Sequence, residues 1–233
     1  MSETVEMPII IEFNGLPATG KTTIASELMI LLKSKGIKCQ TNYIKKWQEN
    51  SWSLMFDLDC VIVLFLSFIF SIRLWPLRNR VKYFTALSQH LRKYRDYINS
   101  SEKGCLVIDQ GFVQSFVSIA YGDIIEKDSL LFPIVKYLHK RHIKFVRIDC
   151  VNDVDLSCQR LGCRERNSSR LHDVKVNEQK QVLNVQKKNF ETIRRAFDSL
   201  YDNQSISINT LCAPDKNAKS IYTKLIEFGL VKK

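Results

Sequence analysis

Several features are scarce in these 233 residues, and each shortage excludes a class of protein. No CxxC pair occurs among the seven cysteines at 39, 60, 105, 150, 158, 163 and 212. Nor does a second pair or a histidine at zinc spacing follow Cys158 and Cys163, so free thiols are expected rather than a zinc or thioredoxin-like site. The longest nearly unbroken apolar run, Cys60 to Phe70, covers about half of the roughly 20 residues that a bilayer-spanning helix needs. It reads as a buried core helix or a dimer-interface helix, with a lipid-facing patch as the alternative. The opening segment, MSETVEMPII, is acidic and lacks the basic start and apolar stretch of a secretory signal, which leads to the expectation of a cytoplasmic protein. Internal repeats and inter-domain linkers are absent, so residues 1–233 read as one domain.

Acid is also in short supply: 24 Asp+Glu stand against 35 Lys+Arg, a formal charge of +11. Such a surplus calls for an anionic partner, whether polyphosphate, nucleic acid or a membrane surface. What is present is otherwise ordinary. A chain that is 45% hydrophobic and 25% charged is neither disordered, collagenous nor of low complexity. At this length about 70% of the unfolded surface can be buried in a core.

Strand and helix patterns alternate along the chain, which predicts a parallel sheet covered on both faces. Pro8 to Phe13 is a β-rich run meeting Asn14-Gly15. A helix follows from Lys21 to Lys35, closed by Gly36, and then a strand from Ile37 to Ile44. Two helices broken at Pro76 occupy residues 52–100, a helical acceptor-side region. Cys105 to Asp109 reads as a buried strand ending in a carboxylate, followed by helices over Val113–Tyr121 and Ser129–Lys140 and a strand over Ile143–Asp149. Asp153 is placed as the N-cap of a helix to Leu161. A polar, arginine-rich loop over residues 160–173 precedes a long helix from Val176 to Leu200, a strand near Ser205 to Ile208 and a closing helix from Ala218 to Phe228.

The most specific motif is Gly15-Leu16-Pro17-Ala18-Thr19-Gly20-Lys21-Thr22, followed by Thr23, which fits GxxxxGK[ST] between a strand and a helix. In such a loop the glycines let backbone N–H groups converge on phosphate, and the helix N-terminus adds about half a positive charge. Lys21 then bridges β- and γ-phosphates while the Thr22 hydroxyl serves Mg²⁺. Asp109 is the natural second carboxylate, because ligands of doubly wound sheets collect beyond the carboxyl ends of the strands. It is a candidate base toward an acceptor hydroxyl and a candidate Mg²⁺ ligand; the competing role is the N-cap of the helix that follows. Arg160, Arg164, Arg166 and Arg170 are four guanidinium groups in 11 residues, with Glu165 alone among them. They are candidates for a mobile lid that stabilises charge on a transferring phosphoryl group and excludes water.

Together GLPATGKTT, VIDQGFVQSFVSIAY and IDCVNDVDLSCQRLGCRERNSSR resemble the P-loop nucleoside and nucleotide kinases, thymidylate kinase most closely. The resemblance implies an α/β fold with a five-stranded parallel sheet flanked by helices and an arginine lid. It further implies ATP and Mg²⁺ at Lys21 and Thr22, and Asp109 at the acceptor. Two departures bear on the acceptor. Gln110 stands where the family has an arginine after the aspartate, and Asn42 to Trp47 lacks the Arg-Glu-Pro signature. A neutral Gln110 cannot grip an acceptor phosphate as a guanidinium would, which turns the expectation toward a hydroxyl acceptor. Tyr43, Trp47, Trp52 and Phe112 are candidate ring partners for it, with Gln114 a candidate polar contact.

The function expected from these residues is transfer of the ATP γ-phosphate to a nucleoside, nucleotide or related hydroxyl compound. A nucleotide-binding regulator or nucleic-acid-associated ATPase is the alternative, prompted by the net charge. That charge is uneven. Residues 139–195 hold 14 Lys+Arg against 7 Asp+Glu, and there the arginine lid offers a reason for it. Residues 73–103 hold 8 against 2 and have no such reason.

Overall fold

A strand whose side chains alternate between two apolar surroundings belongs at the centre of a sheet covered on both faces, and β1 (Ile9–Gly15) is built this way. In the computed structural model, residues 8–41, 57–72, 77–100, 104–121, 124–125, 132–163, 171, 174–200 and 204–232 are described. Ile9, Ile11 and Phe13 enter one core with Leu28, Leu32, Ile221 and Leu225, while Ile10 enters the other with Leu106, Ile108, Phe116 and Phe197.

The remaining strands are β2 (Cys39–Thr41), β3 (Cys105–Ile108), β4 (Lys144–Val151) and β5 (Gln204–Asn209). They form one five-stranded sheet in the order β2-β3-β1-β4-β5. Each pairing is parallel, with Ile9 level with both Cys105 and Lys144. Helices α1 (Lys21–Ser34), α2 (Leu58–Ile72), α3 (Leu77–Asn99), α4 (Phe112–Ala120), α5 (Phe132–Lys140), α6 (Val154–Gly162), α7 (Val176–Leu200) and α8 (Pro214–Glu227) complete the α/β architecture expected from the sequence. Helices α1 and α8 supply the core on one face, and α3, α4, α5 and α7 the core on the other. From β1 the chain goes to β2 and β3 on one side and later crosses to β4 and β5 on the other. The crevice above the carboxyl ends of β1 and β3 is therefore a topological switch point.

Local expectations and structure differ at a few boundaries. The last helix begins at Pro214 rather than Ala218, because proline's fixed φ and missing N–H suit a first turn. The Asp153 side chain accepts from Asp155 N at 3.1 Å and caps α6 as expected. The apolar run Cys60 to Phe70 does lie within a helix, α2, but only part of that helix is covered. Cys60, Val63 and Ser67 are buried, whereas Val61, Ile62, Phe65, Phe68 and Ile69 are exposed.

The buried guanidinium of β4 is paired. Arg147, 1% exposed in β4, donates to Asp149 and lies 3.0 Å from Asp198, with its guanidinium over the Phe197 ring. Burial pushes the Asp149 carboxyl above the usual range, while the adjacent guanidinium pulls the other way.

Candidate active site

The loop from Gly15 to Gly20 owes its path to one close approach and one packed cluster. Gly15 has φ +145°, and a Cβ there would lie 2.5 Å from the Cys150 carbonyl oxygen of β4, so no side chain is tolerated. Leu16 and Ala18 turn instead into a small cluster with Val154, Cys158, Leu161 and Leu183, which holds the loop against α6 and α7. Within the loop Thr19 Oγ1 donates to Leu16 O at 2.9 Å. The Lys21 ammonium donates to Gly15 O at 2.9 Å and to Leu16 O at 2.7 Å, so the cation sits inside the curve. Gly20 gives α1 no capping side chain, and the first turn carries no acid, an arrangement suited to an anion at this helix end.

Thr22 and Thr23 are exposed at the mouth of the loop. Thr22 Oγ1 donates to Asp109 Oδ2 at 2.9 Å, which joins the first turn of α1 to the residue following β3. The two positions are 87 residues apart and meet because β1 and β3 are adjacent and parallel. Asp109 does not cap α4. That role falls to Glu12 of β1, whose carboxylate accepts from Phe112 N at 3.1 and 3.2 Å.

Glu12 is fully buried, and the Tyr94 hydroxyl of α3 also donates to it. Burial raises its pKa from 4.5 to about 7, against the lowering effects of Tyr94, the Phe112 N–H and Lys93. One carboxyl group thus ties β1, α3 and α4 together. Gly111 makes room for it, since a Cβ there would fall 2.0 Å from Glu12 Oε2. Held in this way, α4 presents Gln114, whose Oε1 accepts from Gly15 N at 3.2 Å. The Gly15–Gly20 loop is therefore braced from the β3 side through side chains that begin at Glu12.

No family model and no curated protein matches the sequence. Among solved structures, a deoxyadenosine kinase from M. mycoides, with the products dCMP and a flexible dCDP bound, matches at TM-score 0.53 and 16% identity. The match covers 94% of this chain and 99% of that one. The chain shares its fold with that kinase. The likeness is one of fold, and the neighbour is a deoxyadenosine kinase rather than the thymidylate kinase that the sequence resembled most.

Within this fold a cleft of about 480 Å³ opens beside the Gly15–Gly20 loop. Ala18, Gly20 and Ile24 form one wall, and Thr210, Leu211 and Pro214 of the β5–α8 turn form the other. Arg160 lies in α6, also lines the cleft, and donates to Thr210 O at 3.3 Å. Arg164, Arg166 and Arg170 lie outside the described residues, as do Tyr43, Trp47 and Trp52. Phe112 is 2% exposed and packs its ring among Tyr83, His90 and Phe116. Gln110 is exposed beside Asp109.

Sequence reading missed Glu12 and the Thr210–Pro214 wall. For Glu12 the signal was a lone carboxylate inside the apolar run PIIIEF, since a charge in a fully buried strand demands partners. The wall had no local signal, because only the packing of β5 next to β4 brings that turn to the loop.

Proposed function

We propose that the protein is a phosphotransferase that moves the γ-phosphate of ATP, with Mg²⁺, to a hydroxyl group of a nucleoside, nucleotide or related compound. The observation that carries this reading is the 2.9 Å pairing of Thr22 with Asp109 at the mouth of the phosphate loop. A hydroxyl and a carboxylate side by side fit Mg²⁺, which is commonly held by one or two protein oxygens together with phosphate oxygens and water. Thr22 and Asp109 would hold that ion, whose chemistry is to neutralise charge on the β- and γ-phosphates. No group of three or more His, Cys, Asp or Glu side chains suited to a metal occurs among the described residues, and this site needs none.

In this reading the backbone N–H groups at the start of α1 bind the β-phosphate. The Lys21 ammonium exchanges its carbonyl partners for phosphate oxygens. Leu211 and Pro214 cover one side of the nucleotide base in the cleft, and Arg160 fixes the turn that carries them. The acceptor hydroxyl attacks the γ-phosphorus in line, the bond to the ADP oxygen breaks, and the hydroxyl proton passes to Asp109. Arg164, Arg166 and Arg170 are proposed as the lid over the transferring group. An exposed, neutral Gln110 next to Asp109 supports a hydroxyl acceptor over one gripped by its phosphate. The fold shared with a deoxyadenosine kinase supports a nucleoside as the first acceptor to try.

The test is ATP consumption with nucleosides, nucleotides and sugars as acceptors, the phosphorylated product being identified by mass spectrometry. At least one acceptor should stimulate ATP use, and Lys21→Ala should lower turnover by roughly 100-fold or more while the thermal unfolding curve remains cooperative. A folded Lys21→Ala protein with full acceptor-dependent phosphorylation refutes the proposal.

A further inference from the structure

A buried amide without hydrogen bonds destabilises a fold, so a native structure that keeps one calls for something to be placed against it. Asn14 is the last side chain of β1 before Gly15 and is 1% exposed. Neither its Nδ2 nor its Oδ1 has a hydrogen-bond partner among the described residues. Strand alternation turns it, like Ile10 and Glu12, toward the side of the sheet that carries α4 and α7. The polar groups closest in register are already engaged. Asp149, level with Asn14 on β4, accepts from Arg147 Nε through both oxygens at 3.0 and 3.1 Å. Glu12, two residues back, accepts from Tyr94 and from Phe112 N.

What Asn14 lines instead is a cavity of about 180 Å³ between the carboxyl end of β4 and α7. Gly15 and Leu16 bound it on one side, and Lys187, Phe190, Glu191 and Arg194, which fall on one stripe of α7, bound it on the other. It shares no lining residue with the cleft beside Thr210 and Pro214. In the sheet, β1 stands between it and β3, the strand that leads to Asp109, so an occupant would lie apart from the proposed acceptor base. The lining selects the occupant. Lys187, Arg194 and Glu191 are exposed at the rim, a mixed set that favours no strongly charged ligand, while Leu16, Val151 and Phe190 make the wall largely apolar. Asn152 is engaged with Ser157 and Asp153 N. At less than the roughly 300 Å³ at which drug-sized sites begin, the space takes one ring system. An amide offers a donor and an acceptor side by side and is matched by a planar edge that offers the reverse. Adenine has that edge, with N7 accepting and N6 donating, whereas the adjoining N7 and O6 of guanine both accept and would strand Asn14 Oδ1. Leu16 and Phe190 supply apolar surface for the ring faces.

We propose that this cavity is a second, non-catalytic site for an adenine ring, held by Asn14 behind the loop. The test is photolabelling of the full chain with 2-azidoadenosine, the labelled peptides being located by mass spectrometry. Label should fall on the peptides that carry Cys150 to Asn152 or Lys187 to Arg194, and excess adenosine should suppress it there. Asn14→Leu should lower labelling of these peptides by about tenfold or more, because the paired donor and acceptor are lost. Leucine is of similar size and removes two orphaned polar atoms, so the variant should match or exceed the wild-type thermal midpoint without ligand; if it does not fold, Asn14→Ala takes its place. Asp109→Asn, which removes the proposed proton acceptor, should label these peptides like wild type and so keeps this site separate from the proposed catalysis. Three results overturn the proposal: no label on these peptides, equal labelling in wild type and the Asn14 variant, or a crystal structure at saturating adenosine with only ordered water on the Asn14 amide.

Discussion

Replacing Glu12 with glutamine should change how stability depends on pH. The unfolded chain releases this proton near pH 4.5, whereas the fold retains it to about 7. Stability due to neutral Glu12 is therefore complete below pH 4.5 and lost as pH rises through about 7. The gap, at about 1.4 kcal/mol per pH unit, amounts to about 3 kcal/mol. His90 works in the opposite direction. It is fully buried against Ser115, and its pKa is held down to about 3, so its contribution is complete above 6.5 and lost as pH falls toward 3. Between pH 4.5 and 6.5 the two slopes oppose each other, and a wild-type curve alone would hide both. The quantity to follow is the difference in unfolding free energy between Glu12→Gln and wild type, from urea titrations between pH 4 and 8. Because His90 is common to both proteins, its contribution cancels. The difference should move by about 3 kcal/mol in favour of Glu12→Gln from the acidic to the basic end, with its midpoint between 4.5 and 7. A difference that stays flat over this range would refute a neutral Glu12 and mean that the carboxylate is charged throughout.

Two further substitutions probe the same framework. Gly111→Ala drives a methyl group into the Glu12 carboxyl and should cost about 2 kcal/mol or more, together with weaker nucleotide binding at the proposed site as α4 and Gln114 shift; urea unfolding and nucleotide titration check both. Arg147→Ala leaves Asp149 and Asp198 without their shared cation and should cost about 3 to 5 kcal/mol at neutral pH, read from the urea midpoint.

The chain makes its local statements clearly. GLPATGKTT announces its loop because phosphate binding depends on backbone shape and a helix start, both set by consecutive residues. The long helix Val176–Leu200 was bounded as found, its apolar spacing being uninterrupted. Asp109 was legible as the carboxylate at the end of a short apolar strand. Whether it would cap α4 or face Thr22 was not, since that choice depends on Glu12 reaching the α4 N-terminus from the neighbouring strand. Phe112, plausible by its aromatic character as a substrate platform, lies among Tyr83, His90 and Phe116, and no spacing rule indicates which way a ring will turn.

The order of residues by itself thus determined an α/β chain and two basic segments, and carried the expectation of a polyphosphate loop with an acidic partner, because each of these is written in neighbouring residues. Tertiary structure decided which distant groups meet. It brought Thr210 to the loop, made Glu12 rather than Asp109 the cap of α4, and left one face of the most apolar helix exposed. The reason is physical: secondary structure follows from short-range periodicity, whereas burial, pairing and exposure follow from strand order, which no single segment encodes.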